Sequence, residues 1–263
     1  LNKPLRIQSV SNELYRQLKS LKSTRSIKEA NICAVHGLRF AMDLLKRKRV
    51  RLKYVVCTEA MIASLPQALV QEQNLRLVEL DAHLYRDLDE FGTNEPICYC
   101  ELPVISEWNK ASDSSVRSVL LPFQNPDNLG AAIRTAVAFG VRVIVTEESA
   151  FAFHPKAIRA SAGAVFDCDL VATGKIVDFN PNISDALILD AAGEDISTAQ
   201  LPQKFVLIPG IEGPGVPDSF SRFRSISIPM TGAIESLNAG VAVGIALYEL
   251  TRGEATRTNV RHR

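Results

Sequence analysis

The chain has 263 residues, 46% apolar and 22% charged, a balance ordinary for one large globular domain or two modest ones. No run of 18 apolar residues offers a membrane span, and residues 1–10 mix Lys3, Pro4 and Arg6 among their apolar positions, so a membrane or secreted protein is not expected and a cytoplasmic one is. The net charge of +1 conceals an asymmetry: residues 1–53 hold 14 lysines and arginines against three acids, and residues 54–104 hold two against nine. A basic segment of that kind suits a polyanion, and equally well a set of solvated helix faces.

In chain order, residues 10–23 place Leu14, Leu18 and Leu21 at helical spacing, with Ser11 or Asn12 available as cap. NICAVHG reads as a strand ending in Gly37, LRFAMDLLKRKR as a helix with a basic C-terminal end, and LKYVVCTE as a second strand. Residues 61–74 suggest a helix, and LRLVEL and ICYCEL two more strands. Alternating strands and helices predict an α/β domain over 1–104. The polar stretch 105–115 reads as a linker to a second domain over 116–263.

There the apolar density rises. SVLLPF, VRVIVTE, DALILDAA, KFVLIPG and SISIPM read as strands, several apolar throughout, as in a parallel sheet covered on both faces. LGAAIRTAVAFG, HPKAIRASAG and the long stretch 234–250 read as helices, and the tail from Thr251 is charged and expected to be loose.

Cys33, Cys57, Cys98, Cys100 and Cys168 are odd in number and lack zinc or redox spacing, and His36, His83, His154 and His262 are scattered. Buried free thiols and no metal site are expected.

Three segments look unlike simple core. In NPDNLGAAIRTA, residues 125–136, a turn feeds a helix near Asn128, Gly130 occupies the first helical turn, and Arg134 follows. In VLIPGIEGPGVP, residues 206–217, an apolar strand runs into a loop with three glycines and one acid, Glu212, which exposes backbone groups to a ligand. Neither GxGxxG nor GxxxxGK[ST] is present, which disfavours a dinucleotide or nucleoside triphosphate site. In ISIPMTGAIESLNAG, residues 226–240, a strand and a loop lead to Ser236, Leu237 and Asn238 at the head of an apolar helix.

Together these resemble the three motifs of the SpoU branch of the SPOUT methyltransferases. The first is Asn128, Gly130 and Arg134; the second Gly210, Ile211, Glu212 and Gly213; the third Ile228, Pro229 and Met230, then Ser236, Leu237 and Asn238. The resemblance covers about residues 116–250. It implies an α/β fold whose mainly parallel sheet, flanked by helices, carries a trefoil knot, and a homodimer with the site near the subunit interface. It implies S-adenosylmethionine as cofactor, held around Leu207, Gly210, Ile228, Met230 and Leu237, and no metal. The implied reaction is methyl transfer to an RNA ribose 2′-hydroxyl. Arg134 is the implied general base or, since arginine ordinarily keeps its proton, the group that orients hydroxyl and phosphate. Asn128, Glu212, Ser236 and Asn238 are implied to position Arg134 and the ribose.

The first 104 residues more distantly resemble the small ribosomal-protein-like RNA-binding domain found before the catalytic domain in many members. Lys19, Lys22, Arg25, Arg47 and Arg49 are then candidates for RNA phosphates. Ribosomal RNA is the expected substrate. A transfer-RNA methyltransferase of the same fold, and a non-catalytic RNA-binding protein, are the alternatives.

Overall fold

Caps and prolines set most element boundaries in the computed structural model, which describes residues 3–72, 74–113, 116–182, 184–210, 215, 217–232 and 234–252, excepting the side chains of 47, 112 and 113. β1 (Leu5–Ile7) leads to α1 (Glu13–Ser20), where the Asn12 side chain accepts the Tyr15 N–H at 3.1 Å. The expected 10–23 helix stops there, and α2 (Thr24–Ala30) starts on its own cap, Ser23. β2 (Ile32–His36), α3 (Leu38–Arg47) and β3 (Leu52–Cys57) fall where the sequence puts them.

The helix expected over 61–74 is instead two short pieces, α4 (Glu59–Ile62) and α5 (Gln67–Val70). Pro66 between them lacks an N–H, and its ring holds the preceding residue out of the helical region. β4 (Arg76–Leu80), an unexpected α6 (Ala82–Leu88) and β5 (Ile97–Glu101) follow.

Then come β6 (Ser106–Glu107), α7 (Lys110–Asp113), β7 (Ser118–Leu120), α8 (Pro126–Ala138), β8 (Arg142–Val145), α9 (Pro155–Ala160) and β9 (Leu170–Ala172). β10 (Ala186–Asp195), β11 (Val206–Pro209), β12 (Arg224–Ser227) and α10 (Ala239–Thr251) complete the described chain. The stretch 105–115 is more than a linker. β6 pairs in parallel with β9, the Trp108 N–H donates to the Ala172 carbonyl at 2.7 Å, and the indole packs on Phe179.

The chain divides into two units. The first joins residues 1–104 with 153–166, so α9 belongs to it rather than to the 116–263 domain read from sequence. Its mixed sheet runs β1-β4-β3-β5-β2. Phe153, Ala157, Ile158 and Phe166 anchor the returning segment by burial, and the Arg159 guanidinium lies 4.5 Å from the Phe91 ring centroid. Cys33, Cys57, Cys98 and Cys100 are buried free thiols, as expected, while Cys168 of the second unit is half-buried. Burial pushes the Cys57 thiol up to about 12.

His36, at the end of β2, is buried with its Nδ1 3.8 Å from Asp89, too far for a hydrogen bond. Burial lowers its pKa from 6.5 to about 4, against the attraction of Asp89. Between those values the unfolded chain takes up a proton that the folded chain refuses, so stability falls as pH drops through the window, by up to about 3 kcal/mol. Urea unfolding at pH 7 and pH 4.5 checks this: the loss should shrink in His36→Phe, and an equal loss in both proteins would refute it.

The second unit carries seven parallel strands in the order β12-β10-β11-β7-β8-β9-β6. Leu120, Ile144, Val171, Ile188 and Ile208 share one core layer with Phe179, Phe220 and Phe223. Their strand neighbours Val119, Val143, Leu187 and Leu207 are also buried and, by the two-residue period, face the other way. The sheet is therefore covered on both sides, and continuous apolar strands are its sequence trace. Among the described residues no helix is long and apolar enough to cross a membrane.

Candidate functional site

In the second unit, the middle of β10 and the carboxyl ends of β11 and β12 meet the start of α10 around a cavity of about 560 Å³. β11 is apolar to its end, and where each strand leaves the sheet its backbone must find partners outside the ladder. β11 ends at Pro209 and opens into Gly210; β12 opens into Ile228 and Met230. All four residues line the cavity.

α10 begins five residues later than the helix expected from 234, because Asn238 is its cap rather than part of it. Its side-chain oxygen accepts the Val241 N–H at 3.2 Å, and its Nδ2 donates to Asn128 Oδ1 at 3.0 Å. That second bond joins segments 110 residues apart. Asn128 sits in the first turn of α8, where Asn125 accepts the N–H groups of Asp127 and Asn128 and Pro126 takes the first helical position. The two helices approach closely there: a Cβ on Gly240 would lie 3.5 Å from the Asn128 carbonyl oxygen and 3.8 Å from Ala131 Cβ. Gly240 thus lets the cap of one helix reach the first turn of the other.

The third wall was not legible as a site. Pairing of β10 with β12 skips from Leu189 to Glu194, so residues 190–193 bulge out of the ladder. Leu189, Asp190 and Ala191 line the cavity as a result. The bulge is held where the Ser227 hydroxyl donates to the Gly193 carbonyl at 2.8 Å. A Cβ on Gly193 would fall 2.6 Å from the backbone nitrogen and carbonyl carbon of Ile226.

Of the residues expected to carry chemistry, Asn128, Ser236 and Asn238 line the cavity together. Arg134 does not. It is exposed on α8, six residues beyond Asn128 and so about 9 Å along the helix axis. Glu212, with Ile211 and Gly213, lies outside the described residues. Of the expected cofactor residues, Gly210, Ile228, Met230 and Leu237 line the cavity, whereas Leu207 is fully buried within β11 between Leu187 and Val119. Apolar side chains, exposed strand-end backbone and a helix N-terminus suit a neutral heterocycle with a polar tail.

In the first unit the basic candidates are largely engaged. Lys19 Nζ meets Asp87 at 2.9 Å, and the hydrogen bond to that carboxylate raises the lysine pKa. Lys22 Nζ donates to the Asp87 carbonyl at 2.7 Å, and Arg25 pairs with Glu29 at 2.8 Å. Arg49 also has a partner, and the Arg47 side chain lies outside the described residues. Part of the basic excess is therefore met by the acidic segment that follows it, as Arg6–Glu79 and Lys53–Glu101 also show. Among the described residues no cluster of histidine, cysteine and acids has a metal-binding arrangement.

A parallel α/β sheet with a cleft at its carboxyl edge, flanked by two helices, the cap of one hydrogen-bonded to the first turn of the other, defines the class of this protein. Residues 115–248 match the SpoU rRNA Methylase family, and the chain belongs to it. It is 27% identical over 259 residues to the 23S rRNA (guanosine(2553)-2′-O)-methyltransferase RlmP of Bacillus subtilis, covering 93% of this chain and 98% of that one. It is 30% identical over 181 residues to the 23S rRNA (guanosine-2′-O-)-methyltransferase RlmB of Haemophilus ducreyi, covering 65% and 69%. Over 252 residues it is 37% identical to ribosomal RNA small subunit methyltransferase G 2 of Syntrophobacter fumaroxidans, covering 94% of this chain but about half, 49%, of that relative.

Solved structures agree in fold. An AdoMet-bound rRNA methyltransferase from Sinorhizobium meliloti superposes with a TM-score of 0.78 at 23% identity, over 95% of this chain and 98% of that one. The SpoU methyltransferase AviRb from Streptomyces viridochromogenes gives 0.75 at 22%, over 93% and 99%.

Proposed function

We propose that the chain transfers a methyl group from S-adenosylmethionine to a ribose 2′-hydroxyl of ribosomal RNA. The observation that carries this reading is the Asn238–Asn128 hydrogen bond, which joins the first and third motifs beside a cavity lined by Gly210, Ile228 and Leu237. The names of the Bacillus and Haemophilus relatives support the ribosomal substrate.

When bound, S-adenosylmethionine supplies an electrophilic methyl group on a positive sulfur. The protein's own residues do the rest. Strand-end backbone at Gly210 and Ile228, with the Leu237 side chain, binds and orients it, and Leu189 and Met230 exclude water. Asn128, Ser236 and Asn238 hold the ribose. Arg134 draws the sugar hydroxyl and its neighbouring phosphate into line and polarises the hydroxyl for attack. The basic first unit supplies phosphate contacts, with Lys19, Lys22, Arg25, Arg47 and Arg49 as candidates; Lys19, Lys22 and Arg25 would exchange the acids or carbonyls they meet in their own chain for phosphate.

The same reading takes in the trefoil knot and a homodimer. Val241, Ile245 and Tyr248 form an exposed apolar stripe along α10, which a second copy would cover. Mapping of 2′-O-methyl groups in RNA from a strain lacking the protein, before and after treatment with purified chain and donor, tests the proposal. One ribosomal position should disappear and be restored. Loss of a transfer-RNA mark with all ribosomal marks intact, or no loss anywhere, would overturn it.

A further inference from the structure

Two acidic side chains in the cavity have no part in the reading above. Asp190 stands on the β10 bulge and Glu235 on the loop before α10, so they flank the cavity from two separate elements. The described lining contains these two carboxylates and no lysine, arginine or histidine. The facing positive contribution is the N-terminus of α10, worth about half a charge. Asp190 is held in place: its Oδ1 accepts the Ala192 N–H at 2.8 Å, and the bulge beneath it is pinned by Gly193 against Ile226. The side chain therefore keeps a fixed place on the cavity wall and has a second oxygen to offer.

This inference rests on the cofactor assignment. At neutral pH the methyl donor carries a sulfonium and an ammonium against one carboxylate, a net charge of +1. Methyl transfer forms an oxygen–carbon bond and returns the carbon–sulfur electron pair to sulfur, while the hydroxyl proton is released. The product is a neutral thioether with no net charge. We propose that Asp190 and Glu235 set the cavity's preference for the charged donor over its uncharged demethylated product. The ammonium and carboxylate common to both ligands offset each other, so the two side chains favour the donor through its sulfonium and leave the product nearly unaffected. Fresh donor thereby replaces product more completely than it would in an apolar cavity of the same shape. A unit charge several ångströms away in partly solvated surroundings changes affinity roughly five- to tenfold.

Calorimetry on the full chain tests this with three probes: S-adenosylmethionine, S-adenosylhomocysteine, and sinefungin, whose amine places a positive charge near the sulfur position. Asp190→Asn keeps the oxygen that accepts the Ala192 N–H, and Glu235→Gln keeps its shape. In the double variant, affinity for the two charged probes should fall by at least about tenfold while that for S-adenosylhomocysteine changes less than about twofold. The wild-type preference should also weaken as salt rises. Equal losses for all three probes would mean an ammonium contact or a structural role, and unchanged affinities would mean no role; either overturns the proposal. If the wild-type chain bound none of the three, the cofactor assignment itself would fall, and this inference with it.

Discussion

Arg134→Ala should leave S-adenosylmethionine binding within about twofold of wild type and slow methyl transfer by about two to four orders of magnitude, the usual worth of a group that moves or polarises the reacting proton. The reason for the split is spatial. Arg134 is exposed on α8 and does not line the cavity, so truncating it removes nothing from the donor's walls. Its methylenes bury little, so the fold should persist. Single-turnover rates and donor calorimetry on the same preparation separate the two effects. Arg134→Lys sharpens the result: it retains charge but loses the planar fork, so it should recover only part of the rate. Full activity in Arg134→Ala would remove this residue from the proposed chemistry. A parallel loss of donor binding would make it a structural residue instead.

Gly193→Ala should damage both stability and donor affinity although it adds a single methyl group. The added carbon would lie 2.6 Å from two backbone atoms of Ile226, neither of which can swing aside as a side chain could. Either β12 separates from β10 or the bulge at 190–193 shifts, and both movements disturb the wall that bears Leu189 and Asp190. An overpacked backbone contact of this kind costs about 1–3 kcal/mol. Donor affinity should fall by at least tenfold, roughly what a 1.4 kcal/mol loss would give. Gly240→Ala is the comparison, since its Cβ would be no closer than 3.3 Å to its neighbour, the Asn238 side-chain oxygen. Thermal unfolding and donor calorimetry on both variants rank the effects. If Gly193→Ala melted and bound like wild type, the bulge would not be the rigid wall described.

The strands of the second unit were readable because both faces of the sheet are covered. A strand buried on both sides must be apolar throughout, and SVLLPF, VRVIVTE and KFVLIPG announce this residue by residue. The head of α8 lies earlier than the expected start near Asn128: Asn125 caps it and Pro126 takes its first position, a start signal that lay in the residues assigned to the turn. The break at Pro66 was equally local, and the stretch 61–74 yielded to it because a missing N–H outweighs helical spacing. The short edge strand β6 left no such mark: two exposed residues, Ser106 and Glu107, pair only because β9 lies beside them.

By itself, then, the sequence determined which chemical groups the site could hold: three loops following apolar strands, with asparagines, glycines and an arginine at fixed intervals. Those intervals are set by local backbone geometry, which nearby residues dictate. Tertiary structure alone decided which of these groups meet. Asn128 finds Asn238 across 110 residues, while Arg134 on the same helix stands apart from the cavity. It also decided that Asp190 lines the cavity, because the bulge presenting it is fixed by the approach of Gly193 to a strand some thirty residues later. Contacts of that range depend on how strands order in a sheet, and strand order leaves no periodic trace along the chain.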